Sequence, residues 1–225
     1  GADRIELCAN PHEGGTTPSY GMMKAARKST RIQVFPIIRP RGGDFLYSNE
    51  EFEAMKDDIK AAQDIGCEGV VIGILNKDGG IDLEKSQELV DLAKGMEVTF
   101  HRAFDRVKDP ISSLEQIIAI GCKRILSSGL MPTAIEGNAT LKKLVSHADG
   151  RIKIMPGSGV RAENIIQLAK DTGATCFHSS ARKTLLSQMN YFNTEMKENL
   201  IQVSLDSTEV KHLKNNLVSH FHSKH

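Results

Sequence analysis

The sequence predicts an α/β fold, a (β/α)8 TIM-type barrel in which the first βα unit is missing from this chain and seven strands are present. Three observations lead there. A local pattern of glycine, small residue, two connectors and strand occurs four times: Gly1-Ala2-Asp3-Arg4-Ile5-Glu6-Leu7, Gly66-Cys67-Glu68-Gly69-Val70-Val71, Gly121-Cys122-Lys123-Arg124-Ile125-Leu126 and Gly173-Ala174-Thr175-Cys176-Phe177. Amphipathic helical spacing precedes the last three copies, through Ile59, Ala62 and Ile65, then Leu114, Ile117 and Ile118, then Ile165, Leu168 and Ala169. Further short apolar runs lie between the copies, and strands alternating with helical patterns indicate βαβ units around a parallel sheet.

Taken in order, the strands fall near 4–8, 33–39, 69–75, 97–103, 124–129, 151–157 and 176–180. Each repeat glycine is read as the left-handed residue that closes a helix, a conformation glycine adopts without a Cβ penalty. Gly1 would then cap a helix upstream of residue 1, so the chain is expected to begin inside the barrel. Its 225 residues against the roughly 250 of a typical barrel agree with one absent unit. Residues 1–182 are assigned to this incomplete barrel. Residues 183–225 are assigned to a C-terminal accessory arm and helix, not a separate domain. Tyr191, Phe192, Leu200, Ile201, Val203 and Leu205 suffice for a partly packed arm. Helical spacing then runs from Thr208 through Leu213 to Phe221, with Ser207 or Thr208 as N-cap.

With 29 basic and 28 acidic side chains the formal charge is +1, which gives no electrostatic footprint for nucleic acid. No apolar run is long enough to span a membrane. The four cysteines show no paired spacing and read as reduced thiols of a cytosolic protein. Cys67 and Cys122 occupy the small position after a helix cap and read as packing residues. The tail His220 to His225 has a metal-binding composition but reads as a solvated terminus.

The working face of such a barrel is the C-terminal end of its strands. Alternation puts Glu6 and Cys8 on the interior side of the first strand. A buried carboxylate needs a partner, and Arg39 at the end of the next strand could supply one. The loop Arg39-Pro40-Arg41-Gly42-Gly43-Asp44-Phe45 suits either an anion or a structural salt-bridge network. His101 ends the strand Val98-Thr99-Phe100, with Arg102 beside it and Asp105 placed to orient its ring, as an acid/base or ligand histidine requires. Gly157, Ser158 and Gly159 follow the 151–157 strand before a helix expected near Ala162. With Ser179 and Ser180 they could cradle phosphate. His178 shares strand parity with Cys176 and Ser180 and also faces inward.

The runs at 1–8, Gly14-Gly15-Thr16-Thr17-Pro18-Ser19, Ile38 to Phe45, Val98 to Asp105 and Met155-Pro156-Gly157-Ser158-Gly159 together resemble the copper homeostasis protein CutC family over residues 1 to about 182. The resemblance implies a (β/α)8 barrel, a cytosolic or also nuclear protein that often forms homo-oligomers, and a role in handling copper as Cu(I). It places the Cu(I) ligand on Cys8. The family's companion cysteine falls in a segment this chain lacks, leaving His101, His178 or Met155 as helpers, since Cu(I) favours soft ligands. Two functions therefore stand side by side. One is Cu(I) binding through Cys8. The other is a barrel enzyme for a small anionic or phosphorylated metabolite, with Arg39, Arg41, Asp44 and Arg102 at the substrate and His101, Asp105 or Glu6 moving protons.

Overall fold

The computed structural model describes residues 1–222. Six parallel strands carry the architecture: β1 (Arg4–Leu7), β2 (Gln33–Pro36), β3 (Gly69–Ile72), β4 (Glu97–Phe100), β5 (Arg124–Ser127) and β6 (Lys153–Pro156). Hydrogen-bonded ladders join β1 to β2 and run in the order β3-β4-β5-β6, and the Ile37–Val71 bridge connects the two groups. The helices α1 (Tyr20–Ser29), α2 (Asn49–Ile65), α3 (Leu83–Leu92), α4 (Pro110–Ala119), α5 (Asn138–Ala148) and α6 (Ile165–Thr172) alternate with the strands.

Local sequence accounts for these elements. Ser48 and Glu51 form a reciprocal capping box at the start of α2, and Gly66 ends it at φ 79°. Between those caps Phe52, Met55, Ile59 and Ala62 bury one face of α2. Pro110 opens α4 behind an Asp109 cap. Gly173 closes α6 at φ 75°, so the repeat glycines at 66 and 173 are helix terminators, as expected. β3 is buried along its whole length, the signature of a strand covered on both faces.

The seventh expected strand does not form. Residues 176–180 run beside β6, where the His178 amide donates to the Pro156 carbonyl at 2.9 Å. A single backbone bond on one side does not make a ladder. Side chains close the seam between this segment and β1. Arg4 Nη2 donates to Met155 Sδ at 3.2 Å, and Glu6 meets His178.

The C-terminal segment also differs from expectation. It contains an antiparallel hairpin, β7 (Arg182–Leu185) with β8 (Gln202–Leu205), and then α7 (Ser207–His222). Tyr191 and Phe192 between the hairpin strands are exposed instead of packed, because the two strands pair with each other and not with the barrel. Asp206, not Ser207 or Thr208, caps α7, accepting from the Thr208 amide at 2.9 Å. Leu213 of α7 is buried in the main hydrophobic core, with Val210 and Leu217 packed against it. Glu209 and Asn216 bond both backbone groups of Ala162, while Lys214 pairs with Asp3. The helix thus lies between the start of β1 and the approach to α6. Among the described residues no helix is long and apolar enough to cross a membrane.

Candidate functional site

The mouth residues divide into three groups. The first is the seam. Glu6 accepts from Arg4 Nη2 at 3.0 Å and its Oε2 lies 3.0 Å from His178 Nδ1. Burial pushes the Glu6 carboxyl up, but His178 and Arg4 outweigh it and hold the group below its usual value. Arg39, the partner expected from sequence, is not the one used, because Arg4 shares Glu6's own face two residues back. Cys8, two residues beyond Glu6 toward the mouth, sits half-buried beneath Gly15, whose missing Cβ leaves room for the thiol. Burial pushes the Cys8 thiol up while nearby Arg182 acts in the opposite direction. The Met155 sulfur accepts from the same Arg4 Nη2 that bonds Glu6.

The second group is the loop after β2. Arg39 donates to the carbonyls of Glu13, Gly15 and Gly43. Arg41 pairs with Asp44 at 3.0 Å and Glu51 at 2.6 Å, so Arg41 and Asp44 form a bracing network that ties the loop to α2. Phe45, which sequence reasoning passed over, is the central residue here. Its ring lies against Arg39, Arg106 and the His101 ring, the last at 4.9 Å between centroids.

The third group follows β4. His101 is fully buried. Its Nδ1 accepts from the Ala103 amide at 3.1 Å, which places the ring proton on Nε2. Burial, reinforced by Arg39, pushes its pKa down to about 3. Asp105 does not orient this ring. The 3-10 turn over Arg102–Arg106 directs its carboxylate to Ser127 Oγ and the amides of Ser128 and Leu130, with Arg102 on the other oxygen at 2.7 Å. Asp105 and Arg102 thereby hold the loop after β5. Gly73 was likewise missed. A side chain there would collide with the His101 ring, so a glycine after a strand was the available signal.

The expected phosphate cradle is largely occupied by its own backbone. The Gly157 amide bonds the Ser127 carbonyl, Ser158 Oγ donates to Pro132 and Ser179 Oγ to Val160. Helix α6 begins at Ile165, not near Ala162, well past Gly159, and Ser180 is exposed. A concavity of about 620 Å3 lies away from the mouth, on the outer side of α4 and α5 beside Ile111, Lys142 and His147. The tail residues 223–225 lie outside the described residues.

The CutC family model matches residues 1–183. The chain belongs to the CutC family. It is 51% identical over 191 residues to a CutC family protein of Chromobacterium violaceum, covering 85% of this chain and 77% of that one. It is 47% identical over 196 residues to a human protein named copper homeostasis protein cutC homolog, covering 87% and 72%. The crystal structure of a CutC protein from Streptococcus agalactiae matches with a TM-score of 0.76 at 39% identity, over 78% of this chain and 87% of that chain. The CutC match ends where β7 begins, so most of the hairpin and all of α7 lie outside the matched residues.

Proposed function

We propose that this CutC chain serves copper homeostasis by holding Cu(I) between the Cys8 thiolate and His178 Nε2 at the mouth of the barrel. The observation that supports this reading is the Glu6–His178 contact of 3.0 Å. A carboxylate on Nδ1 fixes the imidazole tautomer and leaves Nε2 as the ligand nitrogen, the usual second partner of a metal-binding histidine. Cys8 lies on the same side of β1 as Glu6, one alternation further toward the mouth. Thiolate selects Cu(I), and imidazole suits copper. Among the described residues no group of three or more His, Cys, Asp and Glu side chains could hold a metal, so the reading is a two-ligand site. Since the Cys8 thiol is pushed up by burial, loading releases a proton and weakens as the pH falls.

Four free cysteines suit a reducing cytosol, where this reading places the protein. The exposed apolar side chains of the hairpin loop, Leu186, Tyr191 and Phe192, offer surface for a homo-oligomer. Competition with a chromogenic Cu(I) chelator tests the copper site. One Cu(I) per chain is expected, lost in Cys8→Ser and His178→Ala and weakened about tenfold in Glu6→Gln. Unchanged affinity in Cys8→Ser would overturn the reading.

A further inference from the structure

Arg39 is a buried guanidinium, 4% exposed, whose bonded nitrogens reach only carbonyl oxygens: Glu13 at 2.8 Å, Gly15 at 2.9 Å and Gly43 at 2.9 Å. Those bonds satisfy its donors without neutralising its charge, and a buried charge without a counter-charge is costly. Two of its five N–H groups are left over, one on Nε and one on Nη2. Arg39 Nε has no partner, and neither has His101 Nε2. The buried Tyr47 hydroxyl, on the same loop, lies beside the Arg39 guanidinium.

Both side chains meet the Phe45 ring. The Phe45 ring lies over the Arg39 guanidinium at 4.8 Å and against the His101 ring at 4.9 Å. Gly73 admits the imidazole where any side chain would displace it. The histidine is neutral with its proton on Nε2, so it is a fixed donor and not a second cation.

We propose that Arg39 Nε–H and His101 Nε2–H together bind a small carboxylate beneath Phe45. Arg39 supplies the buried positive charge, since Arg106 on the same Phe45 ring is exposed to solvent; a carboxylate balances it, and two donors match its two oxygens. A phosphate dianion would remain under-neutralised and under-bonded there. An uncharged water would satisfy the donors but leave the Arg39 charge uncompensated. Neither nitrogen belongs to the Cys8–His178 pair, so this site stands or falls independently of copper.

The test uses the full chain with histidine labelled with 15N, titrated with formate and acetate. The expected result is a saturable shift of the His101 Nε2–H resonance, accompanied by a rise in melting temperature that chloride at equal ionic strength does not give. His101→Phe, which keeps a ring and loses the donor, is expected to weaken formate binding about tenfold. The wild-type resonance decides the matter even if that variant does not fold. No saturable shift with either carboxylate, equal or stronger binding of inorganic phosphate, or a crystal structure in formate with only an ordered water between the two nitrogens would each overturn the proposal.

Discussion

Glu6 Oε2 and His178 Nδ1 meet at 3.0 Å across the seam where β1 faces residues 176–180 with no backbone ladder between them. Side-chain chemistry closes the sheet at this point, with Arg4 bonding both Glu6 and Met155 from the same strand. The seam is therefore the place where barrel stability and the candidate copper site depend on the same atoms.

Glu6→Gln is expected to destabilise the protein at neutral pH by about 3 kcal/mol, the cost of removing one partner from a buried ion pair. The Glu6 carboxyl is held below its ordinary value of 4.5. The stabilisation it brings is therefore present above that value and is lost as the pH falls through the depressed folded-state value. Urea midpoints of both proteins measured from neutral to acid pH should converge at the acid end. A constant gap would show that the pair is not the source.

His101 works over a different pH window. Its folded pKa of about 3 against an ordinary 6.5 means that the unfolded chain takes up a proton which the folded chain refuses. Stability should fall by about 1.4 kcal/mol for each pH unit between those values as the solution is acidified. Proton uptake on unfolding at pH 5, measured calorimetrically, should drop by close to one proton in His101→Phe.

Gly73→Ala puts a methyl group into the His101 ring and the Ala103 side chain. A cost of about 1 to 3 kcal/mol is expected from such overpacking. The bond from the Ala103 amide to Nδ1 should break, visible as faster exchange of that amide.

Leu213→Ala in α7 should cost about 2 kcal/mol, because the side chain joins the barrel core. Lys214→Ala on the same helix removes only an exposed pair with Asp3 and should change stability by less than about 1 kcal/mol. Thermal unfolding of the two variants separates docking by burial from docking by charge.

β3 and β5 were legible because each follows a helix closed by a left-handed glycine, β2, β4 and β6 because each is a short run buried over its last three residues, and β1 from the repeated glycine motif. Residues 176–180 carry the same signals, but a ladder needs a partner on the neighbouring strand, and sequence does not show where β1 stops reaching. The β7–β8 hairpin was missed because Arg182–Leu185 is exposed throughout and Gln202–Leu205 is at most half-buried, so no apolar face marks either strand. At the mouth, strand parity put Glu6 and His178 on one side, and the structure joins them at 3.0 Å. Pairing by sequence nearness failed for His101 and Asp105, since a 3-10 turn lies between them and turns the carboxylate away. Phe45 and Gly73 carry no polar chemistry, and their importance emerges only from what packs against them.

The Asp3–Lys214 pair joins positions 211 residues apart, and α7 packs beside the first strand, which also meets Met155 and His178 from the far end of the barrel. Until that helix docks, the flank of β1 is an unguarded template on which another molecule can add a strand. Refolding yield should therefore depend on protein concentration, with aggregation competing against a single slow, long-range closure.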